Sequence, residues 1–186
     1  MYKNIIQRNV QSGKSVRKKK KGGIMTVGIV VVVIVVAVVI GVAVGMKQRN
    51  INNQLLSEGR MIKRDIDFME KNYFYTSRIA TYKQIYEKLD SSDLSGTGVS
   101  WSGKIGDIIF KSSLGWSARL AEVESDDENH KYLFHFTNWE TYRGLPQNTT
   151  SMNVLLTAVE KCILSVDPTT KVTTTEMKLK TKTHFL

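Results

Sequence analysis

The 186-residue chain is predicted to be an α+β protein: an N-terminal transmembrane helix continuing into an amphipathic helical stalk, then a small antiparallel sheet with one packed helix. Three observations lead there. Residues 24–46 carry no charged side chain and are rich in valine. From 47 to 90 apolar residues recur at helical spacing with no proline among them. Past residue 91, short stretches of alternating polarity precede one further helical stripe.

Residues 1–23 form a basic tail. Eight of the chain's net +10 charges lie there, at Lys3, Arg8, Lys14, Arg17, Lys18, Lys19, Lys20 and Lys21, with no acid among them. The excess is therefore local. Phosphate recognition needs positive charge gathered on one face of the binding module, so no nucleic-acid partner is expected for the folded part.

As a helix, residues 24–46 would measure about 34 Å, enough for a hydrocarbon core of roughly 30 Å. In lipid an isolated segment satisfies its backbone only as a helix, which overrides valine's low helix propensity. Eight Lys and Arg residues precede the run, whereas Lys47, Arg49, Arg60, Lys63 and Arg64 follow it within twenty positions. That asymmetry places the tail in the cytoplasm and the C-terminal part outside. Lys18, Lys19, Lys20 and Lys21 then fix topology and meet anionic lipid headgroups, at about 1 kcal/mol each. A removable export signal is an alternative, with Ala43-Val44-Gly45 as a tolerable cleavage pattern, although such signals have shorter apolar regions. Ala37, Gly41 and Gly45 form a small-residue series suited to close helix–helix contact, and glycine is also frequent in membrane helices generally.

In the stalk, 47–90, Ile51, Leu55, Ile62, Ile66, Met69 and Tyr73 are followed by Ile79, Tyr82, Ile85, Tyr86 and Leu89, all near helical period. Arg60, Lys63, Arg64, Asp67, Glu70 and Lys71 make the polar complement. Gly59 reads as a blemish costing about 1 kcal/mol. Glu58 and Asp65 interrupt a heptad seam, so the stripe, either unbroken or broken near Asn72, is expected to pack on the chain's own C-terminal domain.

The outer α+β domain, 91–186, opens with a turn-rich stop at 91–98. Strands are expected at about 100–111, 116–124 and 131–139, the last carrying alternating Tyr132, Phe134 and Phe136, with a helix over 114–124 as the alternative for the second. Thr150 or Ser151 is expected to cap a helix whose apolar face is Met152, Leu155, Leu156, Val159, Ile163 and Val166, ended by Asp167-Pro168. A final strand alternates Lys178, Lys180 and Lys182 with Met177, Leu179 and Thr181. Lysines on an edge strand block unwanted sheet pairing.

Few residues signal chemistry. Cys162 is the only cysteine, which rules out an intramolecular disulfide, and it borders the helix's apolar face. His130, His135 and His184 lack metal-binding spacing. Residues 98–104 match the start of a phosphate-binding loop, but Ile105 stands where a hydroxyl is needed. The acidic stretch at 122–128 lacks calcium-loop spacing. Asn148-Thr149-Thr150 is a glycosylation sequon. Trp101, Trp116 and Trp139 read as core or, if exposed together, as a ligand platform. No cofactor and no catalytic residue is expected.

A basic leader ending in Gly22-Gly23, an apolar stretch opening Ile24-Met25-Thr26, an amphipathic continuation and a β-containing C-terminal domain resemble a type IV prepilin or pseudopilin. The likeness implies processing between Gly23 and Ile24 and assembly through the apolar helix. Gly28 stands where that family usually has glutamate.

The expected role is binding or assembly in a cell-envelope complex, by a single-pass membrane protein whose partners are lipid and other proteins, or further copies meeting through the membrane helix or stalk. The alternatives are a minor pilin-like filament subunit and a membrane-tethered hydrolase.

Overall fold

The computed structural model describes residues 22–126 and 128–177, with side chains from residue 33 onward. Lys18, Lys19, Lys20 and Lys21 lie outside the described residues, as do His184 and the three lysines of the final alternation. The chain divides into two units, Met1–Lys47 and Gln48–Leu186.

The described part of the first unit is the apolar part of helix α1, Gly22–Ser57. Gly23 and Ile24 are on its backbone. From Val33 to Met46 every residue is exposed, with the large apolar side chains 50–63% accessible. A helix that is apolar on all sides and unburied within its own chain has the length and composition of a membrane span.

In the second unit α1 ends after Ser57. Gly59, at φ +66°, donates its N–H to Leu56 O (3.1 Å), and Arg60 N reaches back to Leu55 O (2.9 Å). This pair of bonds is a Schellman stop, which favours glycine at the left-handed position. The helical stalk expected over 47–90 is thereby corrected: Gly59 terminates α1. The chain next passes through a 3₁₀ turn, Phe68–Glu70, into strand β1, Lys71–Ser77, where Tyr73, Tyr75 and Ser77 alternate inward with the two-residue period of a strand. Of the expected stalk, residues 47–57 at the end of α1 and helix α2, Tyr82–Asp90, keep the helical form. A capping box between Thr81 and Gln84 starts α2, and it buries Ile85 and Leu89.

The remaining elements are β2 (Val99–Lys104), β3 (Asp107–Ser112), β4 (Trp116–Ser125), β5 (His130–Asn138), the short β6 (Thr141–Tyr142) and β7 (Leu145–Pro146), α3 (Thr149–Val166) and β8 (Lys171–Glu176). The single strand expected over 100–111 is two, folded back at Ile105-Gly106, with Gly106 at φ +78°. Six strands form one sheet in the order β2-β3-β4-β5-β1-β8, antiparallel throughout. β1 is therefore an inner strand, paired with β5 through Tyr73–Phe134 and Tyr75–Tyr132 and with β8 on its other side.

One sheet face is covered by α3 and by α2, which comes from the stripe expected to pack on this domain. Between them Phe110, Phe134, Phe136, Trp116 and Phe68 meet Met152, Leu155, Val159 and Ile163. Phe134 and Phe136 cross edge-to-face at 5.2 Å between ring centres, a favoured aromatic geometry. Burying each such side chain contributes about 1.5–3 kcal/mol. The opposite sheet face carries half-buried Phe74, Leu133 and His135 among polar neighbours.

Candidate functional site

A groove of about 650 Å³ lies in the second unit. One wall is the end of α1, where Gln48, Ile51, Asn52 and Leu55 fall at i, i+3, i+4 and i+7 and so share a helix face. The other wall is the start of α3. The turns that carry Thr97 and Leu114 close the rest.

The walls are tied by a polar triangle. Gln48 Nε2 donates to Asn52 Oδ1 at 3.1 Å and to Thr150 Oγ1 at 3.3 Å, and Thr150 Oγ1 donates to Asn52 Oδ1 at 3.0 Å. Thr150 is inside α3, not its cap. The N-cap is Asn148, at φ 59° and without a side-chain cap bond. Its Nδ2 instead donates to Leu114 O at 2.7 Å, so the amide nitrogen of the sequon is engaged. Trp116 Nε1 donates to Ser151 Oγ at 2.8 Å, locking the foot of α3 to β4.

The charge in the groove is internally neutralised. Arg60 Nη2 donates to Ser95 O at 2.7 Å and to Ser95 Oγ at 3.0 Å. Its Nε lies 3.2 Å from Asp93 Oδ2, an ion-pair distance at an angle outside hydrogen-bond geometry. Glu58 stands 3.9 Å from Nη1. Hydrogen bonds from Ser95 hold the Asp93 carboxyl below the usual carboxylate range, with Arg60 adding to the effect. Arg60 and Arg64, expected on an exposed helix face, are clasps instead. Arg64 ion-pairs with Glu160, donates to Asn153 Oδ1 at 3.2 Å and lies over the Tyr73 ring, fastening the segment after α1 to α3.

Elsewhere the polar clusters have their own geometry. His130 Nδ1 meets both Glu122 Oε1 at 2.8 Å and Ser125 Oγ at 3.0 Å. Nucleophile activation needs the hydroxyl on one ring nitrogen and the carboxylate on the other, so these three do not form that relay. His135 has a buried Nδ1 without a partner among the described residues, and burial together with Arg119 pushes its pKa down, which keeps the ring neutral near pH 7. Cys162 Sγ lies 3.2 Å from Ser92 Oγ, and burial pushes its thiol pKa up, away from nucleophilic character. Among the described residues no three His, Cys, Asp or Glu side chains converge on a metal-sized site. Trp116 is core, and Trp101 and Trp139 pack partly buried against it.

The helix-contact candidates Ala37, Gly41 and Gly45 share one face of α1 at spacings of four. A Cβ built on Gly41 or Gly45 meets no atom within 4 Å, so nothing in the described chain packs there. Gly23 and Ile24 belong to the first unit, at the start of α1. The groove was not foreseen. Ile51 and Leu55 were legible as a helix stripe, but Gln48 and Asn52 on the same face looked like ordinary surface amides.

Comparisons with protein-family models, with curated proteins and with solved structures give no match.

Proposed function

We propose that this chain is a single-pass membrane protein whose C-terminal unit is a non-catalytic binding or assembly domain outside the cell membrane, within a cell-envelope complex. Lys18, Lys19, Lys20 and Lys21 anchor the tail at the cytoplasmic lipid surface, and the apolar part of α1 spans the bilayer. One observation carries this: Val33 to Met46 is a helix of exposed apolar side chains on every face. In water such a surface is strongly unfavourable, at about 25 cal/mol per Å² of apolar area, whereas hydrocarbon solvates it without cost. The groove supports the binding role, since recognition sites are concave surfaces on which orienting polar side chains converge.

A second reading is a minor pilin-like subunit, in which peptidase cleavage after Gly23 releases α1 for packing in a filament. It draws support from α1 running unbroken from Gly22 past the apolar stretch to Ser57. Mass spectrometry of the mature N-terminus separates the two. A chain starting at Met1 and retained by membranes after alkaline carbonate extraction supports the anchor, and one starting at Ile24 supports the filament subunit. A chain starting near Met46 and released from membranes defeats both.

A further inference from the structure

We infer that the groove between α1 and α3 binds a short extended segment of uncharged polypeptide, an assignment that rests on the binding-domain reading above. The lining chemistry selects this class. Four primary amides border the groove, from Gln48, Asn52, Gln54 and Asn148. Gln54 Nε2 already donates to Glu58 Oε1 at 2.7 Å and Asn148 Nδ2 to Leu114 O, so Gln48 and Asn52 are the two that select the ligand. A primary amide carries both donor and acceptor, matching the one N–H and one C=O that each residue of an extended chain presents. Gln48 Oε1 and Asn52 Nδ2 take no part in the triangle with Thr150, so an acceptor and a donor remain for a ligand on the same helix face. Ile51, Leu55, Leu114 and Val154 lie between these amides and offer apolar contacts for alternate side chains.

Other ligand classes fit less well. A charged metabolite needs an uncompensated countercharge, but Arg60 is already shared between Asp93 and Glu58. A sugar ring is usually seated against an aromatic face, and no lining residue is aromatic. An acyl chain needs continuous apolar walls, which the amides and the hydroxyls of Thr97, Thr149 and Thr150 interrupt.

The test uses the full-length chain in nanodiscs and an equimolar pool of fluorescein-labelled octapeptides randomised over Ser, Thr, Asn, Gln, Leu and Val. Fluorescence anisotropy is expected to rise saturably, and the double variant Gln48→Leu/Asn52→Leu to bind at least about tenfold more weakly. Lys83→Ala, on exposed α2 away from the groove, is expected to bind as the parent does. Should the double variant fail to fold, Gln48→Leu alone, at an exposed position, serves in its place. Hydrogen exchange with the pool present is expected to show protection at 48–58, 94–97 and 148–154. Absence of saturable binding, equal binding by folded groove variants, protection elsewhere, or displacement of the peptides by maltotetraose would overturn the assignment. Such a failure in a chain still held and oriented in the membrane defeats the groove alone, whereas loss of membrane retention defeats the anchor reading.

Discussion

Asp167 Oδ2 accepts a hydrogen bond from the Ser77 hydroxyl at 2.6 Å, joining the end of β1 to the end of α3. The same oxygen takes the backbone N–H of Arg78 at 3.0 Å. Oδ1 receives Thr169 N at 2.9 Å and Thr169 Oγ1 at 2.6 Å. The residue is buried, at 2% exposure. Four donors on one carboxylate favour its charged form, so its pKa lies well below the usual carboxylate range, with the Ser77 bond the largest cause.

Because the folded-state pKa is depressed, the stabilisation is complete above the unfolded value of about 3.9 and is lost as pH falls from there through the folded pKa. Asp167→Asn is therefore expected to lower the urea midpoint clearly at pH 7, by a margin that narrows as pH falls below about 4. A margin that stays constant from pH 7 to pH 3 would contradict this role.

Gly59→Ala separates two conformations by sign. At φ +66° a Cβ costs about 1–2 kcal/mol, so the variant is expected to be less stable by that amount in urea unfolding. Inside a continuous helix the same change would stabilise by about 1 kcal/mol.

Tyr75 is fully buried in the sheet, and its hydroxyl has no hydrogen-bond partner among the described residues. Burial raises its pKa and keeps it neutral. Tyr75→Phe removes an unsatisfied polar atom at almost constant shape and is expected to stabilise by about 1 kcal/mol. A loss of more than about 1 kcal/mol would show that the hydroxyl is bonded.

Arg64 and Glu160 are mostly buried, at 11% and 22% side-chain exposure. Arg64→Met alone is expected to cost about 2 kcal/mol, since the partner charge is left without its hydrogen bonds. Arg64→Met/Glu160→Leu is expected to recover part of that loss, because removing both charges removes the uncompensated one. Strict additivity in the double-mutant cycle would contradict a direct pair.

What could be read before folding follows from locality. Tyr132, Phe134 and Phe136 alternate on one strand, and Met152, Leu155, Leu156, Val159 and Ile163 line one helix face, so β5 and α3 were legible from their own periods. β1 was not. Ile62, Ile66, Met69 and Tyr73 happen to fall at helical intervals, and the two-residue alternation of Tyr73 with Tyr75 was hidden inside that longer count. Gly59 was weighed for its cost within a helix, when the deciding factor was its freedom to adopt positive φ. The groove depends on distant partners: Gln48 meets Thr150 across 102 positions, and two uncharged side chains so far apart leave no motif. The structure likewise turned Arg60 and Arg64 from a solvated stripe into clasps, because the helix they were assigned to had already ended.

The membrane assignment is tested most directly by thiol labelling of the full-length chain, with Cys162→Ser as background and single cysteines at Ser12 and Ser125. In intact cells a membrane-impermeant maleimide is expected to label the Ser125→Cys chain, and the Ser12→Cys chain only after lysis, with both held in the membrane fraction at alkaline pH. Labelling of Ser12→Cys in intact cells, protection of Ser125→Cys there, or release of the unprocessed chain by carbonate would contradict the account.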